Sequence, residues 1–199
     1  MLTKAPIAVC KEEACEDCGV RSKLHCHFNL KELGHFYLIC FPPFLIGGRS
    51  AQNLGWPWLA LYLAIIVGFF GFLEIRVMCS HCPHYAEEGG SLRCWANYGS
   101  PKLWAYRPGP MSWVEKTVFV LGLVIVFGFP IPVLAVAASW FELLLYLMTV
   151  GGFWTTLKSF LCSQCMNFAC PLNGADDEAK RMFFEKNPSV AKAWGQSTN

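Results

Sequence analysis

Residues 57–82 read PWLALYLAIIVGFFGFLEIRVMCSHC. An uncharged run from Pro57 to Leu73 continues through Glu74 and Arg76 to Met78 and ends directly on Cys79-Ser80-His81-Cys82. At about 1.5 Å per residue such a run covers roughly 30 Å of hydrocarbon, so the sequence reads as a membrane helix that finishes on a pair of thiols. The pattern recurs further along. From Trp113 to Leu161 only Glu115, Lys116, Glu142 and Lys158 carry charge, and this second apolar region runs into Cys162-Ser163-Gln164-Cys165. A C-x-x-C pair brings two thiolates within reach of one metal ion or one disulfide, and two helices ending alike hold both pairs at one depth.

Composition agrees with a bilayer. Of 199 residues 54% are hydrophobic and only 15% charged, with a mean hydropathy of +0.36, well above a soluble domain. The net charge of +2, with no basic stripe carrying interleaved aromatics, excludes nucleic acid as a partner. Met1 to Glu13 lacks the apolar core of a cleavable signal peptide. Ile7-Ala8-Val9-Cys10 has no apolar run before it and no small residue at Val9, so it is not read as a lipoprotein cleavage site.

The region 113–161 is about twice too long for one crossing, so it must turn back. Phe129-Pro130-Ile131-Pro132 is the expected place, because each proline removes a backbone donor and disfavours helix at its predecessor. Leu33 to Gly48 is a further uncharged stretch, interrupted by Pro42-Pro43, which suits either a span or a re-entrant segment. The expected fold is an all-α integral membrane protein with four transmembrane helices near 33–48, 57–78, 113–129 and 133–158. A Cys-rich tail, 1–32, precedes this membrane domain of 33–161, a Cys- and aromatic-rich loop, 79–112, interrupts it, and a Cys-rich segment with an amphipathic helix, 162–199, follows.

Charge placement selects the four-span topology. Lys4, Lys11, Arg21, Lys23 and Lys31 lie in the tail, five further cations lie between Arg76 and Lys116, and five between Lys158 and Lys192. Arg49 alone stands opposite. This positive-inside bias puts the tail, the loop and both termini in the cytoplasm. Cytoplasmic thiols stay reduced, so clustered cysteines there point to metal ligation or thiol catalysis rather than to structural disulfides.

The cysteines fall into two sets, with Cys40 alone inside a span. Cys10, Cys15, Cys18 and Cys26, the last flanked by His25 and His27, supply four soft ligands suited to tetrahedral zinc or an iron–sulfur cluster. Cys79, Cys82, Cys94, Cys162, Cys165 and Cys170 form the second set, more sulfur than one zinc ion needs. It leaves open a four-iron cluster, two adjacent sites, or a metal beside a redox thiol pair. His81 and His84 are additional donors or surface imidazoles. Each half of the chain reads polar segment, short apolar helix, long apolar helix and C-S-x-C, a weak internal repeat.

Other features carry two readings each. The aromatic loop 79–112 reads as an interfacial belt, as a folded cap over the sulfurs, or as both together. Glu142 is either a buried carboxylate of the kind that marks proton or quinone sites, or a group near the outer surface beside the proline break. Glu74 and Arg76 are expected to snorkel to the interface. Asp176 to Trp194 reads as an amphipathic helix opened by Asp176 and Asp177 and broken at Asn187-Pro188, lying on the membrane, on the metal domain or against a soluble partner.

Four spans with C-x-x-C pairs superficially resemble membrane thiol oxidoreductases, whose extracytoplasmic substrates lie on the other side of the membrane from these cysteines. No dinucleotide fingerprint, P-loop, H-E-x-x-H or nucleophile elbow is present. The function expected is that of a membrane electron-transfer subunit, with the bilayer and a cytoplasmic-face protein as partners. A non-enzymatic zinc-stabilised scaffold and a thiol–disulfide oxidoreductase are the alternatives.

Overall fold

The computed structural model describes residues 19–137 and 139–196. It is mostly helical: α1 (Leu30–Asn53), α2 (Trp56–Gly68), α3 (Glu74–Val77), α4 (Trp113–Gly128), α5 (Pro130–Val136), α6 (Trp140–Thr156), α7 (Asp177–Lys186) and α8 (Pro188–Ala193). A π-helical stretch, Phe69–Leu73, joins α2 to α3, and another, Leu157–Leu161, extends α6. The sheet is one antiparallel hairpin of β1 (Ser91–Arg93) and β2 (Tyr98–Pro101), with Ser91 opposite Pro101 and Arg93 opposite Tyr98.

Two of the helical rods, Trp56–His81 and Trp113–Val136, are long and apolar enough to cross a membrane. Only 17% and 33% of their apolar windows are buried. Their outward faces carry residues such as Leu61, Val67, Phe72, Leu121 and Val124. A helix apolar all round and mostly uncovered is what lipid, rather than a soluble core, accommodates.

The prolines do not end helices here. Pro42 and Pro43 lie inside α1, which is longer than the 33–48 expected, running from the Asn29 cap to Asn53. At the expected break Phe129 keeps helical φ −54° and ψ −44°, and α4 leads directly into α5. The turn between rods falls after Val136 and before Trp140, so the helices expected at 113–129 and 133–158 are instead helical runs over 113–136 and 140–161. Inside an apolar bundle no water competes for backbone groups, so the chain keeps its helical bonds through a proline where a neighbour supplies a donor. The buried Tyr146 hydroxyl pins α6 to this stretch, donating to the Phe127 carbonyl at 2.7 Å, between the Val126 and Gly128 carbonyls that Pro130 and Pro132 leave without their helical donors.

Packing within the bundle is aromatic. Tyr62 stacks on Phe129 at 5.2 Å, and Phe127 stacks on Phe153 at 5.5 Å. At Gly122 a Cβ would collide with the Phe69 ring, so the absence of a side chain on α4 is what lets it approach the π-helical stretch after α2.

At one end of the bundle Arg49 Nε faces Glu142 Oε1 at 3.7 Å, joining the end of α1 to the first turn of α6. At the opposite end the loop 79–112, the tail residues from Gly19 and the segment after Cys162 fold together as a cap. Val20 and Leu24 share a core with Met166, Ala179, Phe183 and Phe184, and Lys23 pairs with Glu178. Asp176 caps α7 by accepting from the Ala179 N–H at 2.5 Å. The amphipathic region is two helices, broken at Asn187-Pro188, and its apolar face lies on the cap.

Candidate metal centre

Both C-S-x-C motifs adopt the same turn. Residues Cys79–His81 and Cys162–Gln164 are single 3-10 turns that follow directly on the helical rods. Cys82 N–H donates to Cys79 O at 2.9 Å, and Cys165 N–H to Cys162 O at 3.4 Å. Each serine hydroxyl donates back one helical turn, Ser80 to Arg76 O at 2.7 Å and Ser163 to Ser159 O at 3.0 Å. Cys82 and Cys165 then leave the turn extended, at φ −74°, ψ 137° and φ −81°, ψ 128°. The repeat read from the sequence is thus a repeat of local structure at these junctions.

Asn167 ties the two turns together. Its Nδ2 donates to Met78 O at 3.2 Å, immediately before the first motif, while its backbone N–H donates to Cys165 Sγ at 3.4 Å in the second. Asn173 Nδ2 donates to Cys165 O at 2.6 Å and Gly174 N–H to Cys162 O at 2.9 Å. The hairpin brings Cys94 to its tip, where Cys94 N–H donates to Asn97 O at 2.8 Å. Trp95 beside it is buried against the bundle, edge-on to Phe36 at 5.5 Å. The aromatic loop is folded, with Trp95 and Met111 packed into the bundle core.

The six cysteines of the second set share one region. Cys79 lies within electrostatic reach of Cys82, Cys94 and Cys170, Cys82 of Cys94 and Cys165, and Cys170 of Cys162 and Cys165. Burial pushes the Cys94 and Cys162 thiols up to about 12, and neighbouring thiolates push the same way. Cys82, Cys165 and Cys170 are raised too, burial again being the main cause.

Four of these sulfurs also face amide donors that favour the thiolate. The Asn167 N–H donates to Cys165 Sγ at 3.4 Å, and the amides of His84, Ala96 and Leu172, each two positions on, draw the thiols of Cys82, Cys94 and Cys170 down against the effect of burial. The Trp95 side chain adds a second donor to Cys165. A neutral thiol is a weak acceptor, so such donors act on a charged or metal-bound sulfur.

The donor set is soft, buried and furnished with N–H groups, which fits zinc or iron–sulfur ligation. As placed, however, no three His, Cys, Asp or Glu side chains among the described residues stand close enough to hold a metal ion. Cys10, Cys15 and Cys18 lie outside the described residues. Cys26 packs beside the cap core. Cys40 is half-buried in α1.

The histidines face other partners. His81 Nδ1 donates to Gly109 O at 3.1 Å and its Nε2 faces Glu115 at 3.5 Å, while His84 Nδ1 meets Glu87 at 2.6 Å. Arg76 pairs with Glu115 at 3.6 Å, beside the Arg107–Glu115 pair at 2.6 Å. Glu74 lies within reach of Cys79, Cys94 and Cys170. Asn167, Trp95 and the Arg107–Glu115 pair were not among the residues singled out from the sequence. Of these only Asn167, two positions after Cys165, carries a local signal. Comparison with protein-family models, curated proteins and solved structures finds no match.

Proposed function

We propose that this chain is a four-span membrane protein with both ends cytoplasmic, carrying a thiolate-ligated redox centre beneath its cap and passing electrons between a soluble donor and a membrane carrier. Cys82, Cys94, Cys165 and Cys170 are the ligands, with Cys79 and Cys162 next to them in reserve for a larger cluster. The observation that carries this reading is the meeting of two helix-terminal C-S-x-C turns, tied together by Asn167, whose side chain donates to Met78 O and whose N–H donates to Cys165 Sγ. N–H donors to cluster sulfurs are among the levers that set an iron–sulfur potential. α1 and the α6 rod complete the four spans, and the cation distribution orients them.

The zinc scaffold has one observation in its favour. The cap core is small, built from Val20, Leu24, Phe183, Phe184 and a few neighbours, and small cores commonly need a metal staple. A thiol–disulfide enzyme is less well supported, because reactive thiols have lowered pKa values and those of Cys82, Cys94, Cys162, Cys165 and Cys170 are raised.

Anaerobic purification of the full chain, followed by metal and acid-labile sulfide analysis and visible spectroscopy, tests the proposal. A brown protein with iron and sulfide in similar amounts is the expected result. Colourless protein holding zinc alone moves the assignment to the scaffold, and protein without metal overturns both.

A further inference from the structure

Between α1 and the end of the α6 rod, on the capped side, lies an open groove of about 370 Å³ lined by His35, Leu38, Ile39, Thr156, Phe160 and Leu161. Its walls are apolar except for one imidazole and one hydroxyl, contributed by opposite helices. Among the described residues neither side chain has a hydrogen-bond or ion-pair partner. His35 stands five residues into α1, about 7.5 Å along the axis, and its side chain is exposed on the helix surface beside the groove. The groove also adjoins the sulfurs. Leu161 precedes Cys162 in the chain, and Phe36, next to His35, packs on Trp95, whose side chain donates to Cys165.

We infer that this groove binds the ring of an isoprenoid quinone, with His35 and Thr156 hydrogen-bonding its carbonyl oxygens and the tail running out along the apolar helix faces. This rests on the electron-transfer reading and names its membrane carrier by class. A phospholipid acyl chain suits the apolar walls equally but leaves both polar groups without a use. A flat ring with oxygens at opposite ends uses both, and a groove between lipid-exposed helices admits molecules dissolved in the bilayer.

Full-length protein in phosphatidylcholine nanodiscs, photolabelled with an azido derivative of a short-chain benzoquinone and mapped by mass spectrometry, tests the inference. Labels are expected within 35–39 and 156–161, displaced by excess unlabelled quinone. His35→Leu should weaken labelling about tenfold, the worth of one buried hydrogen bond, and His35→Gln should restore most of it. Labels spread over every exposed helix face, labels that excess quinone does not displace, or labelling unchanged in both His35 variants would overturn it. Metal content measured on the same nanodiscs separates the two ideas. A bound centre without groove labelling sinks only the quinone site, whereas groove labelling without metal sinks only the electron-transfer reading.

Discussion

At the first junction Ser80 is sealed beneath Arg107, whose Nη2 donates to the Ser80 hydroxyl at 3.2 Å and to Arg76 O at 2.9 Å. At the second, Ser163 lies nearer the surface and bonds only the carbonyls of Ser159 and Phe160 behind it. The backbone turns are nevertheless alike. The turn is therefore a local product of a helix ending on C-S-x-C, with a serine that bonds back one helical turn. Long-range support is what differs. Arg107 and the hairpin brace the first junction, while Asn173, Gly174 and the cap helices brace the second. A centre that needs a sulfur from each side, from the hairpin and from the C-terminal segment forms only when the whole cap is folded.

Removing one ligand on either side is the most severe way to test that equivalence. Cys82→Ser and Cys165→Ser should each weaken metal binding by more than about a hundredfold, since four thiolates share roughly 10 to 16 kcal/mol. Competition with a chelator of known affinity would read both. Equal losses support one shared centre. A loss in one variant alone divides the junctions between separate sites.

The thiol chemistry gives a smaller effect that both sides should share. In metal-free native protein the Cys94 and Cys162 thiols are raised to about 12 from an ordinary value near 9. The thiolate fraction at pH 7.5 falls about a thousandfold, partly offset by the greater nucleophilicity of a more basic thiolate, so alkylation should slow by roughly thirty- to sixtyfold relative to the unfolded chain. The neutral thiol is the form the folded cap favours. Its contribution to stability is thus complete below pH 9 and is lost as pH rises from about 9 towards 12. Mass-spectrometric alkylation rates across that range check both statements, and rapid modification at pH 7.5 would favour the thiol–disulfide enzyme.

Much of this comparison is legible in the sequence, because helix, serine and cysteine spacing are local. The uncharged run from Pro57 to Leu73 identifies its rod without further help, and the two motifs give away their turns by being spelled alike. The helix break was misplaced for a physical reason. Pro130 and Pro132 carry a strong stop signal in water, but a helix in apolar surroundings continues through them, and Phe129 keeps helical geometry. Ser139-Trp140-Phe141-Glu142 has the S-x-x-E order of a helix start and sits where α6 begins, although the Ser139 side chain makes no cap bond. What could not be read are the contacts that join distant segments: Asn167 to Met78, Trp95 to Cys165, and Arg107 to Arg76, Ser80 and Glu115.

The two serines offer the finest discrimination. Ser163→Ala removes a hydroxyl that bonds only its own helix near the surface, where the carbonyls keep access to water, so stability should change by less than about 0.5 kcal/mol. Ser80→Ala removes a fully buried hydroxyl and one of the acceptors of the Arg107 guanidinium. Leaving that charged donor short of a partner should cost about 1 to 2 kcal/mol, moderated by the Arg76 carbonyl and Glu115, which Arg107 retains. Thermal unfolding of both variants in one detergent gives the difference directly. Equal costs would mean that the serines act only through their helices, and the brace assigned to Arg107 would then contribute nothing to the first junction.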